Sequence, residues 1–199
     1  MLYAVGDIHG SLPKLEALLD ELPLGNGDEF VFVGDYVDRG SYARGVIDRL
    51  IALEKEWPCT FLIGNHESMF LDYIGWKGEL YDKGEYFLAL VPHHRAEGYL
   101  FVHAGLGVPE LGLSDVDEAL ERAQPSDLLW NRMAGDLRHL LGVTLVYGHS
   151  PDPTLQVRWN MPYSIGIDTG AVYGGPLTAI ALPSERLFQA GDEGGPPVR

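Results

Sequence analysis

One cysteine, Cys59, stands in the whole chain, which excludes an intrachain disulfide and any thiolate metal cluster. Lysine is scarce and scattered, at Lys14, Lys55, Lys77 and Lys83. Acidic residues exceed basic ones 29 to 14, for a net charge of −15. That balance argues against a general nucleic-acid surface, which needs clustered Lys and Arg against the phosphates. No stretch approaches the ~20 apolar residues of a membrane span. The first residues lack a basic segment followed by an apolar core and a cleavage site, so no signal peptide is read and the expected compartment is the cytoplasm. With 199 residues, 46% of them hydrophobic and 22% charged, a disordered or collagen-like chain is excluded, and one domain of the usual ~100–200 residues is expected. A chain this long buries most of its apolar surface without staples. A metal here would serve chemistry rather than folding.

Short apolar runs predict strands at Leu2–Val5, Phe30–Val33, Thr60–Ile63, Tyr99–Val102, Thr144–Tyr147, Ser164–Ile167 and Leu177–Leu182. Helices are expected after Ser11, where Leu12, Leu15, Leu18, Leu19 and Leu22 recur at helical spacing, and within Tyr42–Glu56. Others are expected through Met69, Phe70 and Tyr73, over Gly84–Leu90, Asp115–Ala123 and Ser126–Ala134. The expected architecture is α/β, one domain over residues 1–190 with a loose Gly/Pro-rich tail at 191–199. Cys59 reads as a small buried hydrophobe. His93, His94 and His139 lie outside every motif and read as surface residues.

Five of the apolar runs stop at Gly or Ala beside Asp, Asn or His. Asp7 and His9 follow the first, Asp35 the second, Asn65 and His66 the third, His103 the fourth and His149 the fifth. In α/β sheets ligands bind beyond the carboxyl ends of strands, so these groups converge if the strands share one sheet edge. The neighbouring glycines fit tight turns whose backbone angles a side chain forbids. Taken singly, each signal is bland. A Gly-Asp after a strand is ordinarily a turn, a lone His is ordinarily a core or surface residue, and Asp38 with Arg39 could be a surface ion pair. The weight lies in five coincidences. Carboxylates, imidazoles and an amide without sulfur suit Mn²⁺, Fe or Zn²⁺, with Asp35 able to bridge two ions. Such a pair would clamp both oxygens of an in-line phosphoryl displacement and make hydroxide available at neutral pH.

GDIHG (6–10), GDYVDRG (34–40), GNHE (64–67), HAG (103–105) and GH (148–149) resemble the ordered motifs of the phosphoprotein phosphatase family within the calcineurin-like metallophosphoesterases. The resemblance covers about residues 1–182. LLWNR (128–132) and IGIDTGAVYGGPLTAI (165–180) are similar to its small bacterial and phage-type, lambda-like members. The resemblance implies a β-sandwich of mixed sheets flanked by helices. It implies one metal on Asp7, His9 and Asp35 and a second on Asp35, Asn65, His103 and His149. His66 would be the general acid, oriented by Asp38, and Arg39, Arg132 and Asn65 would bind the phosphate. Glu67 would support the site without being a ligand. Two divalent ions are implied, Mn²⁺ first, with Fe or Zn²⁺ as alternatives.

The expected activity is hydrolysis of phosphoserine and phosphothreonine in proteins, and of phosphotyrosine as an extension, by a hydroxide bridging the two metals. Only 36 residues lie between His66 and His103, fewer than in larger members, which suggests an open site for a protruding phosphoresidue. One alternative is a symmetrical dinucleoside-polyphosphate hydrolase, with Tyr73, Trp76, Tyr81 and Tyr86 stacking an adenine, although a loop that packs those aromatics on the core is the more ordinary reading. Another is an inactive phosphate-binding module. The expected partners are a phosphoprotein or a phosphorylated small molecule, with no stable nucleic-acid or membrane partner and the oligomeric state open.

Overall fold

The computed structural model describes residues 1–74, 79–80, 88–133 and 138–191. In chain order the elements are β1 (Leu2–Val5), α1 (Leu12–Glu21), β2 (Glu29–Phe32), α2 (Ala43–Glu54), β3 (Cys59–Leu62), α3 (Asn65–Ile74), β4 (Glu79–Leu80), β5 (Leu88–Val91), β6 (His93–Ala96) and β7 (Tyr99–Val102). They continue with α4 (Val108–Leu111), α5 (Val116–Arg122), α6 (Pro125–Trp130), β8 (Thr144–Tyr147), β9 (Arg158–Asn160), β10 (Ser164–Gly166), a 3₁₀ turn at Ala171–Tyr173, β11 (Leu177–Leu182) and β12 (Arg186–Ala190).

Two mixed sheets form, one of seven strands in the order β12-β11-β1-β2-β3-β5-β4 and one of five in the order β6-β7-β8-β10-β9. β1, β2, β3 and β5 run parallel, as do β7, β8 and β10. The alternation of a strand explains the layering. Tyr3 and Val5 of β1 face a core shared with Leu15, Leu18 and Leu19 of α1 and Val46, Ile47 and Leu50 of α2. Leu2 and Ala4 face the space between the sheets, with Val31, Phe101, Val146 and Ile165. A third core packs Leu100, Val102 and Leu145 against Val116, Ala119 and Leu128 from α5 and α6. Central strands buried on both faces account for the unbroken apolar runs of the sequence. The layers are therefore helix, sheet, sheet, helix.

Several expectations are corrected. Leu88–Val91 is a strand paired with β3, not the end of a helix over Gly84–Leu90, whose first four residues lie outside the described ones. Short β-branched and leucine runs do not distinguish strand from helix by period alone. The helix expected over Ser126–Ala134 is shorter, Pro125–Trp130, and Ala134 lies outside the described residues. The edge strands β9 and β12, too short or too polar to read, were not foreseen. His139 is buried, with Nε2 2.8 Å from the Tyr163 carbonyl oxygen, and His93 and His94 are half-buried on β6. Cys59 is half-buried against the first core, where burial pushes its thiol up to about 12. Of the aromatics proposed for adenine stacking, Trp76, Tyr81 and Tyr86 lie outside the described residues, as does the tail beyond 191.

Candidate active site

The strand ends converge, but from two sheets rather than along one edge. β1, β2 and β3 deliver Asp7, His9, Asp35, Asn65 and His66. β7 and β8 of the other sheet deliver His103 and His149. The loops after β1 and β2 are tied together, since the Ile8 and His9 N–H groups donate to the Asp35 carbonyl and the Gly40 N–H donates to the His9 carbonyl. Across the sheets, the His103 ring nitrogen Nδ1 lies 2.8 Å from the Val33 carbonyl oxygen, and the His149 N–H donates to Asp7 Oδ2 at 2.8 Å.

Two sets of donor atoms lie within 4.8 Å of one another: His9, Asp35 and His66, and Asp35, His103 and His149. Asp35 belongs to both. Its Oδ2 is 3.3 Å from His9 Nε2 and its Oδ1 is 3.5 Å from His103 Nε2. Asn65 Oδ1 completes the second set, 3.0 Å from His103 Nε2 and 2.9 Å from His149 Nδ1. His9 and His103 each turn Nδ1 to a backbone carbonyl, Val37 and Val33, which fixes the tautomer and presents Nε2 as a lone pair. His66 is different, because both its ring nitrogens are engaged elsewhere. Nδ1 meets Asp38 Oδ2 at 2.9 Å and Nε2 meets Arg39 Nη2 at 3.1 Å. Asp7 stands outside both sets, buried beside them, with Oδ1 lacking any hydrogen-bond partner.

The backbone carries strain here. Eight non-glycine residues among the described ones have positive φ, and five are His9, Asp35, Asp38, Arg39 and His149. Each such residue costs on the order of 1–3 kcal/mol and persists only where its surroundings enforce it. The glycine expectation holds at Gly10, Gly34 and Gly105, each with positive φ. At Gly64 and Gly148 the angle is ordinary, and space is what matters. A Cβ would stand 2.2 Å from Asp35 Oδ1 at Gly64 and 2.0 Å from Asp7 Oδ1 at Gly148.

Glu67 is fully buried and explains the enforced loop. Its Oε2 accepts from the N–H groups of Asp35 (2.7 Å) and Gly64 (3.0 Å), and its Oε1 from Tyr36 (2.8 Å) and Val37 (3.2 Å). Burial, then the Asp35 charge, pushes its carboxyl up to about 8, against the pull of those N–H groups. Burial likewise raises Asp7 well above the ordinary carboxylate value, helped by Asp168 and Asp35. It lowers His9 and His103, and with His103 as a neighbour it lowers His149 to about 4. Neutral imidazoles are the ligand form, and crowded buried carboxylates with an orphaned oxygen are what cations relieve. The residues present fit a pair of divalent ions.

The cleft over these groups has a volume of about 260 Å³, and its walls include Arg39, Trp130, Arg132, Pro151, Asp168 and Tyr173. LLWNR reaches it at the end of α6, which closes at Trp130 with Asn131 as its C-cap. Leu128 sinks into the core and accepts from the Ala104 N–H, and Asn131 donates to the Leu106 carbonyl. Trp130 and Arg132 are exposed at the cleft. The Arg39 guanidinium lies 5.5 Å from the centre of the Tyr173 ring. Trp130, Tyr173 and Asp168 were not singled out from sequence. The DTG that ends the β10 run was the available signal for Asp168.

These features are those of a dinuclear metallophosphoesterase, and the chain belongs to that family: residues 2–177 match the calcineurin-like phosphoesterases. It is 28% identical over 174 residues to a serine/threonine-protein phosphatase of Caenorhabditis elegans, spanning 73% of this chain but 37% of that protein. It is 26% identical over 235 residues to the asymmetrical bis(5'-nucleosyl)-tetraphosphatase PrpE of Oceanobacillus iheyensis, spanning 92% of this chain and 89% of that one. Among solved structures, a candidate diadenosine tetraphosphatase superposes with a TM-score of 0.64 at 25% identity, over 97% of this chain and 94% of that one. The family uses a dinuclear divalent metal site, and this chain is a metal-dependent phosphatase.

Proposed function

We propose that the protein hydrolyses phosphoserine and phosphothreonine, and by extension phosphotyrosine, in proteins, with water attacking phosphorus directly. The observation that carries this reading is Asp35, one oxygen toward each donor set, with His66–Asp38 and Arg39 opening into the same cleft. On this reading Asp7, His9 and Asp35 hold one cation, and Asp35, Asn65, His103 and His149 the other. Mn²⁺ is the favoured ion for the mixed nitrogen and oxygen donors, before Fe or Zn²⁺. When bound, the ions supply an activated water at neutral pH and offset phosphoryl charge.

The side chains do the rest. Arg39 and Arg132, exposed at the mouth, grip the non-bridging oxygens, where a guanidinium makes paired charge-assisted hydrogen bonds. Asn65 adds its amide. Arg39 now donates to His66 Nε2. Turned to the phosphoryl oxygens, it leaves Nε2 free to carry the proton that the departing oxygen takes. Asp38 holds the opposite nitrogen and steadies the charged ring. The exposed arginines at an open mouth favour a phosphorylated side chain on a large substrate. The WNR and DTG stretches support kinship with the small bacterial and phage-type members. The reading assigns a cytoplasmic enzyme of one domain over 1–190, with no stable nucleic-acid or membrane partner.

A second reading, hydrolysis of a dinucleoside tetraphosphate at the same site, is favoured by the near full-length match to PrpE. That relative is named asymmetrical, whereas symmetrical cleavage is the alternative that the sequence suggests. Assays with Mn²⁺ on a phosphopeptide, p-nitrophenyl phosphate and diadenosine tetraphosphate decide between them. A clear preference for the dinucleotide overturns the first reading, and its nucleotide products report the cleaved bond. His66→Asn is expected to lower kcat by ~10²–10⁴-fold with metal content unchanged. A collapse of metal content would mean that His66 is a ligand.

A further inference from the structure

β1 and β10 belong to different sheets, yet they meet where they end. A Cβ on Gly6 would stand 2.3 Å from the Ile167 carbonyl oxygen. The next residue on each side is an aspartate, Asp7 and Asp168. Both are buried, at 2% and 6% exposure. Asp168 lines the cleft with His9 and Asp35. Asp7 Oδ1 has no hydrogen-bond partner of its own.

The carboxylate is held where it is. Asp168 Oδ1 accepts from the Gly170 N–H at 3.0 Å. The following loop is pinned by Lys14 Nζ, which donates to the Ala171 and Gly175 carbonyls at 2.7 and 2.8 Å, and by Thr169 Oγ1, which donates to the Pro176 carbonyl at 2.7 Å. Two adjacent carboxylates shielded from water are unfavourable unless a cation compensates them. Asp7, Asp35, Glu67 and Asp168 are the four aspartate and glutamate side chains gathered and buried at this site, an arrangement that bound cations relieve.

We propose that Asp168 is a positioning residue of the metal centre, its carboxylate adding negative charge beside Asp7 and strengthening the hold of the Asp7–His9 side on its divalent ion. This rests on the two-metal reading of the site. The test is Mn²⁺ binding by titration calorimetry to the full metal-stripped chain, paired with thermal melts of the same preparation. Wild type is expected to take up two ions. Asp168→Asn keeps an acceptor for the Gly170 N–H, so it is expected to leave one affinity unchanged and weaken the other by ~10–100-fold. Stripped Asp168→Asn is expected to melt close to stripped wild type, because the Gly170 N–H keeps its acceptor.

Asp168→Ser, which also offers an acceptor, repeats the test should the amide variant fail to fold. Wild-type affinity at both sites in either variant overturns the proposal. So does a large drop in the stripped melting temperature with normal metal affinity, which would make Asp168 only a brace for its loop. Failure of wild type itself to bind two ions brings down the two-metal reading and this proposal together, and is told apart by appearing without any substitution.

Discussion

The two sheets bring different chemistry to one cleft. The seven-stranded sheet contributes Asp7, His9, Asp35, Asn65 and His66, and its loops are braced by each other and by the Glu67 carboxylate two residues beyond Asn65. Four of the five strained site residues, His9, Asp35, Asp38 and Arg39, lie on this side. The five-stranded sheet contributes His103, His149 and Asp168. Its imidazoles are oriented largely by the opposite sheet, through the Val33 carbonyl and Asn65 Oδ1, and the His149 backbone N–H donates to Asp7 Oδ2. One edge organises itself, and the other is organised by it. The network within the seven-stranded sheet holds strained loops because many partners on adjacent strands share the load, whereas contacts across the sheets exist only once the sandwich has closed.

The largest expected effect comes from breaking the residue that both sides share. Asp35→Asn removes the charge facing both donor sets, and is expected to abolish uptake of both ions and to lower kcat/KM by more than the ~10–100-fold typical of an outer partner. Metal analysis and steady-state assays check this, and retention of both ions would show that Asp35 does not join the two sides.

A smaller effect isolates the self-organised edge. Glu67→Gln sets an amide N–H₂ among N–H donors, and is expected to destabilise the fold by ~1–3 kcal/mol in urea unfolding while weakening metal affinity. An unchanged midpoint would mean that the Asp35–Val37 loop keeps its shape without the clasp.

The smallest effect probes the five-stranded layer away from the cleft. Burial lowers His139 below its usual 6.5, and its Nδ1 accepts from the Leu141 N–H. The unfolded chain therefore takes up this proton at a higher pH than the folded one. Stability is full above 6.5 and falls as pH drops through the window below it. His139→Gln is expected to lessen the slope of that part of the stability curve, to which His9, His103 and His149 also contribute, and leave activity alone. A slope unchanged between the two proteins would assign it to other groups.

Much of this was legible in the chain. The five strand ends and their polar residues are written in short apolar runs followed by Gly-Asp, Gly-Asn, His-Ala-Gly and Gly-His, and the donor types already indicate hard or borderline divalent ions. The role of Glu67 was visible only as a residue beside a motif, because its four partners are backbone N–H groups, which no sequence pattern marks. Asp168 was passed over because one Asp after a strand is weak by itself. Its weight comes from the crossing of β1 and β10, residues about 160 positions apart in a chain whose long-range contacts are set by packing.

The sequence by itself determined which side chains end the central strands and what kind of ion they suit, because strand periodicity and donor chemistry are local properties. Only the tertiary structure decided that these ends come from two sheets, that Asp35 faces both donor sets, and that His66 is engaged at both nitrogens by Asp38 and Arg39. Those facts depend on how two sheets close over a shared core, and burial of that core, rather than any local preference, brings distant carboxylates and imidazoles within reach of one another.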